Sequence, residues 1–168
     1  MYKFNRFIFS DSHSALSFMR HCISAVRPDA VIHLGDHYDD GEVIREEYPG
    51  LRIYQVPGNC DRYRCPPWVH EILIENIFGV DLYMTHGHRH NVKMDTGRLL
   101  DAARACRVQA VLYGHTHIPN CYREPDGLWV LNPGSCGSYG GTAGLILVED
   151  KRIISCNVIR QEDLEAFT

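Results

Sequence analysis

Five times along this chain a short apolar run, rich in β-branched and aromatic residues, ends in a polar cluster carrying His, Asp or Asn. The clusters are Asp11-Ser12-His13, Gly35-Asp36, Gly58-Asn59-Cys60-Asp61, Thr85-His86-Gly87-His88 and Gly114-His115-Thr116-His117. Each offers carboxylate, amide or imidazole donors in a turn. A fold that gathers the strand ends on one side therefore also gathers mixed N/O donors, enough for more than one divalent cation. In open α/β sheets ligands bind beyond the carboxyl ends of strands, which is where all five clusters fall.

The segments between the clusters support such a fold. Phe4–Phe9 reads as a first strand, and Ser14–Val26 as a helix with Ala15, Leu16, Met19, Ile23 and Val26 at near-helical spacing, closed by Pro28. Ala30–Leu34 is a short buried strand, Glu42–Glu47 a short helix ended by Pro49-Gly50, and Leu51–Val56 a third strand. Glu71–Ile77 and Val80–Met84 form a hairpin turning at Phe78-Gly79, followed by a helix over Leu99–Cys106 and a strand over Ala110–Tyr113. From Ile118 onward the pattern is all strand, over Cys121–Glu124, Leu128–Leu131, Leu145–Glu149 and Arg152–Ile159. The early half alternates strand and helix, and the late half is expected to be antiparallel. This places the chain in the α/β (α+β) class, as two packed sheets with helices outside. There is no linker, repeat or low-complexity tract, so residues 1–168 are expected to form a single domain.

Composition removes several alternatives. A chain of 168 residues can bury roughly 70% of its unfolded surface, enough for a sizeable core. The net charge of −4, with no Lys/Arg block, gives no footprint for wrapping a long nucleic acid, although a small anion held by metal is compatible with it. Seven cysteines without a CxxC pair or a secretory segment argue against a disulfide framework or zinc ribbon, and for a reduced, cytoplasmic location. The apolar runs fall far short of the ~20 residues that a membrane-spanning helix needs.

Asp11 with His13, and His115 with His117, are i and i+2 pairs, which in extended chain point the same way and can converge on one site. Taken alone each pair is ambiguous, since Asp11 or Ser12 could simply cap the following helix. Taken together, the clusters set polar groups beside five apolar strand ends, where burial without partners is costly and a metal would remove that cost.

In order and content the five clusters resemble the five motifs of calcineurin-like metallophosphoesterases, over most of the chain, and most resemble the small single-domain bacterial and archaeal phosphodiesterase branch. The resemblance implies a pair of mixed sheets flanked by helices and a hydrolase acting on phosphoric esters. It implies one divalent ion bound by Asp11, His13, Asp36 and His117, and a second bound by Asp36, Asn59, His86 and His115, with Asp36 bridging. Ions in such sites lie ~3.5–4 Å apart, and a bridging hydroxide attacks phosphorus in line. Manganese is the expected metal, and iron, nickel or zinc suit the same donors.

The chain departs from many relatives at one place: Cys60 follows the motif Asn59 where a proton-donating His is common. A thiol is a weak donor, so good leaving groups are favoured unless His88 substitutes. His88 is accordingly a candidate catalytic residue with Asp36. Arg62, Arg64, Arg89 and His90 are secondary candidates for phosphate contact, with surface solvation as their plainer reading. His37 and Asp39 are left out because adjacent side chains diverge, and His21, His33 and His70 read as packing or surface residues. Asn132-Pro133-Gly134-Ser135 is expected to shape a turn near His115 and His117 and to offer them polar partners.

The expected function is hydrolysis of small or cyclic phosphodiesters, with no membrane or long nucleic acid as partner. A phosphomonoesterase is the alternative, followed by a non-catalytic interaction module of the same fold. The module reading is disfavoured because all seven ligand positions keep coordinating side chains.

Overall fold

The computed structural model describes residues 3–137 and 140–167. Among these described residues ten strands form two five-stranded sheets that pack face to face, with helices on the outer faces. The first sheet holds β1 (Lys3–Phe9), β2 (Ala30–His33), β3 (Arg52–Gln55), β9 (Thr142–Glu149) and β10 (Arg152–Arg160), in the order β10-β9-β1-β2-β3. The second holds β4 (Ile72–Ile77), β5 (Val80–Thr85), β6 (Ala110–Leu112), β7 (Asn120–Arg123) and β8 (Trp129–Asn132), in the order β4-β5-β6-β8-β7. The helices are α1 (Leu16–Val26), α2 (Tyr38–Glu47) and α3 (Gly97–Ala105).

Side-chain alternation along the strands builds three apolar layers. In β1, Ile8 faces the second sheet and packs among Ile32, Leu82, Met84, Leu112 and Leu131, all without exposure. Its neighbours Phe7 and Phe9 point the other way, onto Phe18, Met19 and Cys22 of α1. The second sheet repeats the device, with Tyr83 and Val111 turned onto Leu99 and Ala103 of α3. Truncating a residue such as Leu82 to Ala would cost about 2–5 kcal/mol.

The strand directions decide where the polar clusters go. β1, β2 and β3 are mutually parallel, as are β5, β6 and β8. Within each sheet these carboxyl ends open on one side, and the approach of His86, just after β5, to Asp36, just after β2, shows that both sheets open on the same side of the sandwich. Two mixed sheets with outer helices are what the sequence pattern predicts, but three details differ. The late half is not wholly antiparallel: β8 returns beside β6 in parallel and leaves β7 at the edge, a neighbour relation that hydropathy alternation does not encode. α2 begins at Tyr38 rather than Glu42, its first N–H groups being capped by the distant Asp61 carboxylate. The last described element is a short helical stretch, Gln161–Phe167, which buries Leu164 against the α1 layer.

No helix among the described residues is long and apolar enough to cross a membrane.

Candidate metal centre

The seven residues singled out as ligands meet at the carboxyl edge of the two sheets. Asp11, His13, Asp36 and His117 offer ligand atoms all within 4.8 Å of one another. On the adjoining side, His86 Nε2 lies 3.1 Å from Asn59 Oδ1, 3.2 Å from His115 Nδ1 and 3.5 Å from Asp36 Oδ2. Asp36 is thus the member common to both groups.

The route to this convergence is not the one the i, i+2 spacing predicts. Asp11, His13, Asp36, His115 and His117 all adopt left-handed backbone, with φ of 54°, 46°, 57°, 68° and 61°, so neither pair is extended. Positive φ is uncommon outside glycine and costs of order 1–3 kcal/mol per residue when it persists. Five such residues in one place mark a site held against its local preference by what surrounds it.

Those surroundings are hydrogen-bonded in detail. Asp11 Oδ2 accepts from the Ser10 hydroxyl at 2.7 Å and the His115 N–H at 3.2 Å, and Asp36 Oδ1 accepts the Cys60 N–H at 2.9 Å. The second oxygen of each carboxylate is left to face the centre. A Cβ at Gly58 would run into the Asp36 carboxylate, so only glycine permits this approach of the 58–61 turn. Asn132 Nδ2 donates to the Gly114 carbonyl at 3.1 Å and to Thr116 Oγ1 at 2.9 Å, and the Ser135 hydroxyl donates to the Asp11 carbonyl at 2.8 Å. The Asn132–Ser135 segment therefore braces the turn bearing His115 and His117, as its sequence position predicts, and through Ser135 also the turn bearing Asp11 and His13, which that position does not predict.

Three supporting residues carry more than the sequence reading assigned them. Asp61 accepts four backbone N–H groups, from Asp36, His37, Tyr38 and Gly58, at 2.7–2.8 Å. It thereby caps α2 with a negative charge and fixes the turn bearing Asp36. Asp40 accepts the Ser12 hydroxyl at 2.6 Å and the Ser14 N–H at 2.8 Å. His33 is fully buried behind the site, not remote from it: its Nδ1 accepts from the Gly35 N–H at 3.3 Å and its Nε2 lies 2.9 Å from Ser12 Oγ. Because the Ser12 proton is committed to Asp40, His33 Nε2 must be the donor there, which describes a neutral ring. Burial lowers the His33 pKa in keeping with that state.

The chemistry of the donor set fits divalent cations. His86 Nδ1 donates to the Leu34 carbonyl at 2.8 Å, a second-layer contact that turns the Nε2 lone pair into the centre. Asp11 Oδ1 is buried with no hydrogen-bond partner, although His117 Nε2 lies 3.0 Å away and His86 Nε2 3.8 Å away. Lone pairs that point at a common space rather than at donors are costly without a cation between them. The electrostatic surroundings agree. Burial opposes charge on Asp36, but the adjacent His86 ring and the Cys60 N–H outweigh it and hold the carboxyl well below its usual range. Burial likewise opposes charge on His86, yet Asp36 and Asp11 outweigh it and raise its pKa. His115 is pushed down to about 4 by burial and by the neighbouring His86, leaving a free imidazole to coordinate.

Beside the centre, a groove of about 730 Å³ is lined by Asn59, Arg62, Pro66, Pro67, His88 and Arg89. His88 is part-buried at its inner end, its ring centroid 5.6 Å from that of His86, and burial together with His86 lowers its pKa. Most other secondary candidates are engaged elsewhere. Arg89 is paired to Glu71 at 2.7 Å, Arg64 to Asp39 at 3.0 Å, and His90 Nε2 lies 3.0 Å from the Tyr83 hydroxyl. The Arg62 guanidinium lies 5.6 Å from the Tyr63 ring. His37, which the sequence reading set aside, stands at the rim with its ring 4.8 Å from that of His13.

Comparison with known proteins gives this geometry its context. A probable metallophosphoesterase of Mycoplasma pneumoniae is 30% identical over 131 residues, covering 76% of each chain. A phosphodiesterase of Methanocaldococcus jannaschii is 31% identical over 146 residues, covering 79% of this chain and 84% of its own. Among solved structures, an archaeal phosphodiesterase superposes with a TM-score of 0.71 at 26% identity, covering 93% of this chain and 99% of that one. The model of the calcineurin-like phosphoesterase superfamily domain matches residues 5–151, and with the two-sheet fold and these relatives it shows that the chain belongs to that superfamily of metallophosphoesterases.

Proposed function

We propose that the protein is a metal-dependent phosphodiesterase acting on small or cyclic diesters. Asp11, His13, Asp36 and His117 would hold one divalent ion, and Asp36, Asn59, His86 and His115 a second. The observation that carries this reading is the buried, donor-free Asp11 Oδ1, with the His117 and His86 Nε2 atoms aimed at the same space. Two bound divalent ions would supply positive charge for the phosphoryl oxygens and acidify a water as nucleophile. Manganese is the proposed ion, and the N/O donors also suit iron, nickel or zinc.

The chain's own residues supply position and exclusion. Asp36, shared by both ligand groups, sets the distance between them, and Asp61 fixes Asp36 through its backbone. His88, neutral at the inner end of the groove, would meet the substrate as a hydrogen-bond donor on the leaving-group side. Asn59 also lines this groove. The relatives named as phosphodiesterases support diesters over monoesters. A net charge of −4 supports a small substrate over a polymer, which would need a basic track.

Elemental analysis of protein purified without added metal, followed by assays on chromogenic diesters, monoesters and cyclic nucleotides, tests the reading. We expect chelator-sensitive hydrolysis of a bis-aryl phosphodiester that manganese restores. A strong preference for monoesters would identify a phosphatase instead. Absence of hydrolysis from fully metallated protein that binds a protein partner tightly would identify an interaction module.

A further inference from the structure

The two sheets meet at one edge through a pair of thiols. Cys121 lies on β7, at the edge of the second sheet, and Cys156 lies on β10, at the edge of the first. Their Sγ atoms are 2.8 Å apart, and Cys121 Sγ also lies 3.2 Å from the Cys156 carbonyl oxygen. Reacting atoms held at roughly 3–3.5 Å already count as near-attack geometry, and a disulfide needs a final separation of about 2.05 Å. Cys121 is part-exposed and Cys156 is buried behind it, so a reagent from solvent reaches Cys121 first. The pair is invisible in the sequence because its members are 35 positions apart with no recognisable spacing, and strand order alone brings them together.

We propose that Cys121 and Cys156 form a reversible oxidation site, closing to a disulfide between the sheets by exchange with a low-molecular-weight disulfide of the glutathione type. In the first step the Cys121 thiolate, its proton lost to solvent, attacks one sulfur of the oxidised reagent. The reagent's S–S bond breaks, a mixed disulfide forms on Cys121, and one reduced thiolate leaves. In the second step Cys156, its proton likewise lost, attacks the Cys121 sulfur. The mixed disulfide breaks, the Cys121–Cys156 bond forms, and the second reduced thiolate departs. Two protein thiols are oxidised and one external disulfide is reduced to two thiols.

The link would join elements that bear on the metal centre. β7 starts at Asn120, three residues after His117, and its partner strand β8 carries Asn132, which braces the Gly114–Thr116 turn. Oxidation would tie this arm of the site to the opposite sheet. It would also close a long loop in the unfolded chain, which stabilises the folded state by chain entropy and raises the thermal midpoint on the order of 10 °C.

The test uses the full chain, incubated with reduced or oxidised glutathione, then alkylated, digested and mapped without reduction. We expect a Cys121–Cys156 cross-linked peptide only after oxidised glutathione, reversed by dithiothreitol and accompanied by the raised midpoint. Cys121→Ser should abolish both effects, and Cys106→Ala, which changes an exposed thiol elsewhere, should leave both intact. The wild-type map is decisive even should Cys121→Ser not fold. Alkylated Cys121 and Cys156 beside glutathione on Cys60 or Cys106 would overturn the proposal. So would a mixed disulfide that stays on Cys121 while Cys156 remains free.

Discussion

The Asp61 carboxylate lies under the turn that carries Asp36, its Oδ2 accepting the Asp36 N–H at 2.8 Å while its Oδ1 accepts the His37 and Tyr38 N–H groups at 2.7 and 2.8 Å. One side chain thus ties the central carboxylate of the site to the start of a helix.

Replacing Asp61 tests how far the site depends on that tie. Asp61→Asn turns an amide NH2 toward donors that need an acceptor, so it loses at least one charge-assisted contact and opposes another. A cost of about 2–4 kcal/mol in denaturant unfolding follows from the energetics of hydrogen bonds to charged groups. If Asp61 also positions Asp36, metal affinity should fall in the variant at temperatures where circular dichroism shows it folded. Unfolding midpoints and metal content unchanged from wild type would show that the four N–H contacts are dispensable.

Asp36→Asn addresses the proposed shared ligand directly. On the two-ion reading an amide supplies no charge to either ion, so both metals should be lost and turnover should drop by more than the roughly 10–100-fold typical of changes around a ligand shell. His13→Ala or His117→Ala should instead deplete one ion preferentially. Elemental analysis finding two tightly held metals in Asp36→Asn would remove Asp36 from its bridging role.

The strands, the outer helices and the meeting of the seven residues at one edge were legible because hydropathy period and turn chemistry are local, and the clusters sit where the periods stop. The supporting layer was not. Asp61 acts on backbone 23–25 positions away, Asp40 acts on Ser12 28 positions away, and His33 works through Ser12 as well. No spacing rule predicts such contacts. The left-handed turns at Asp11, His13, Asp36, His115 and His117 were equally hidden, since Asp and His carry no obligatory positive-φ signal as glycine does. The parallel placement of β8 depends on which strand it joins, a choice made by the whole second sheet rather than by residues 129–132.

His33 gives a pH dependence with a definite sign. Its folded pKa is lowered from 6.5, first by burial, so below pH 6.5 the unfolded chain binds a proton that the folded chain refuses. The contribution to stability is complete above pH 6.5 and is lost progressively as the pH falls from there through the folded pKa. His33→Gln removes the titration, so its unfolding free energy should depend less steeply on pH below 6.5 than that of wild type, whatever its absolute stability. Parallel curves for the two proteins would show that His33 is not the group responsible.

Cys60 bears on the leaving group. Burial and the nearby Asp36 charge raise its pKa, so at neutral pH it is a thiol, with little tendency to give up its proton or to stabilise a departing alkoxide. If the protein is the diesterase proposed above, it should hydrolyse activated aryl diesters much faster than alkyl diesters, whose leaving oxygens need protonation. Cys60→Ala should keep aryl turnover within about threefold of wild type, since it removes a weak donor from an exposed position. Cys60→His places an imidazole there, with a pKa of about 6.5 and a proton to give near neutrality, and should narrow the gap by accelerating alkyl substrates. The comparison is made at matched metal content, because the Cys60 N–H also holds Asp36 Oδ1. Loss of most aryl turnover in Cys60→Ala at unchanged metal occupancy would establish that the thiol takes part in the reaction.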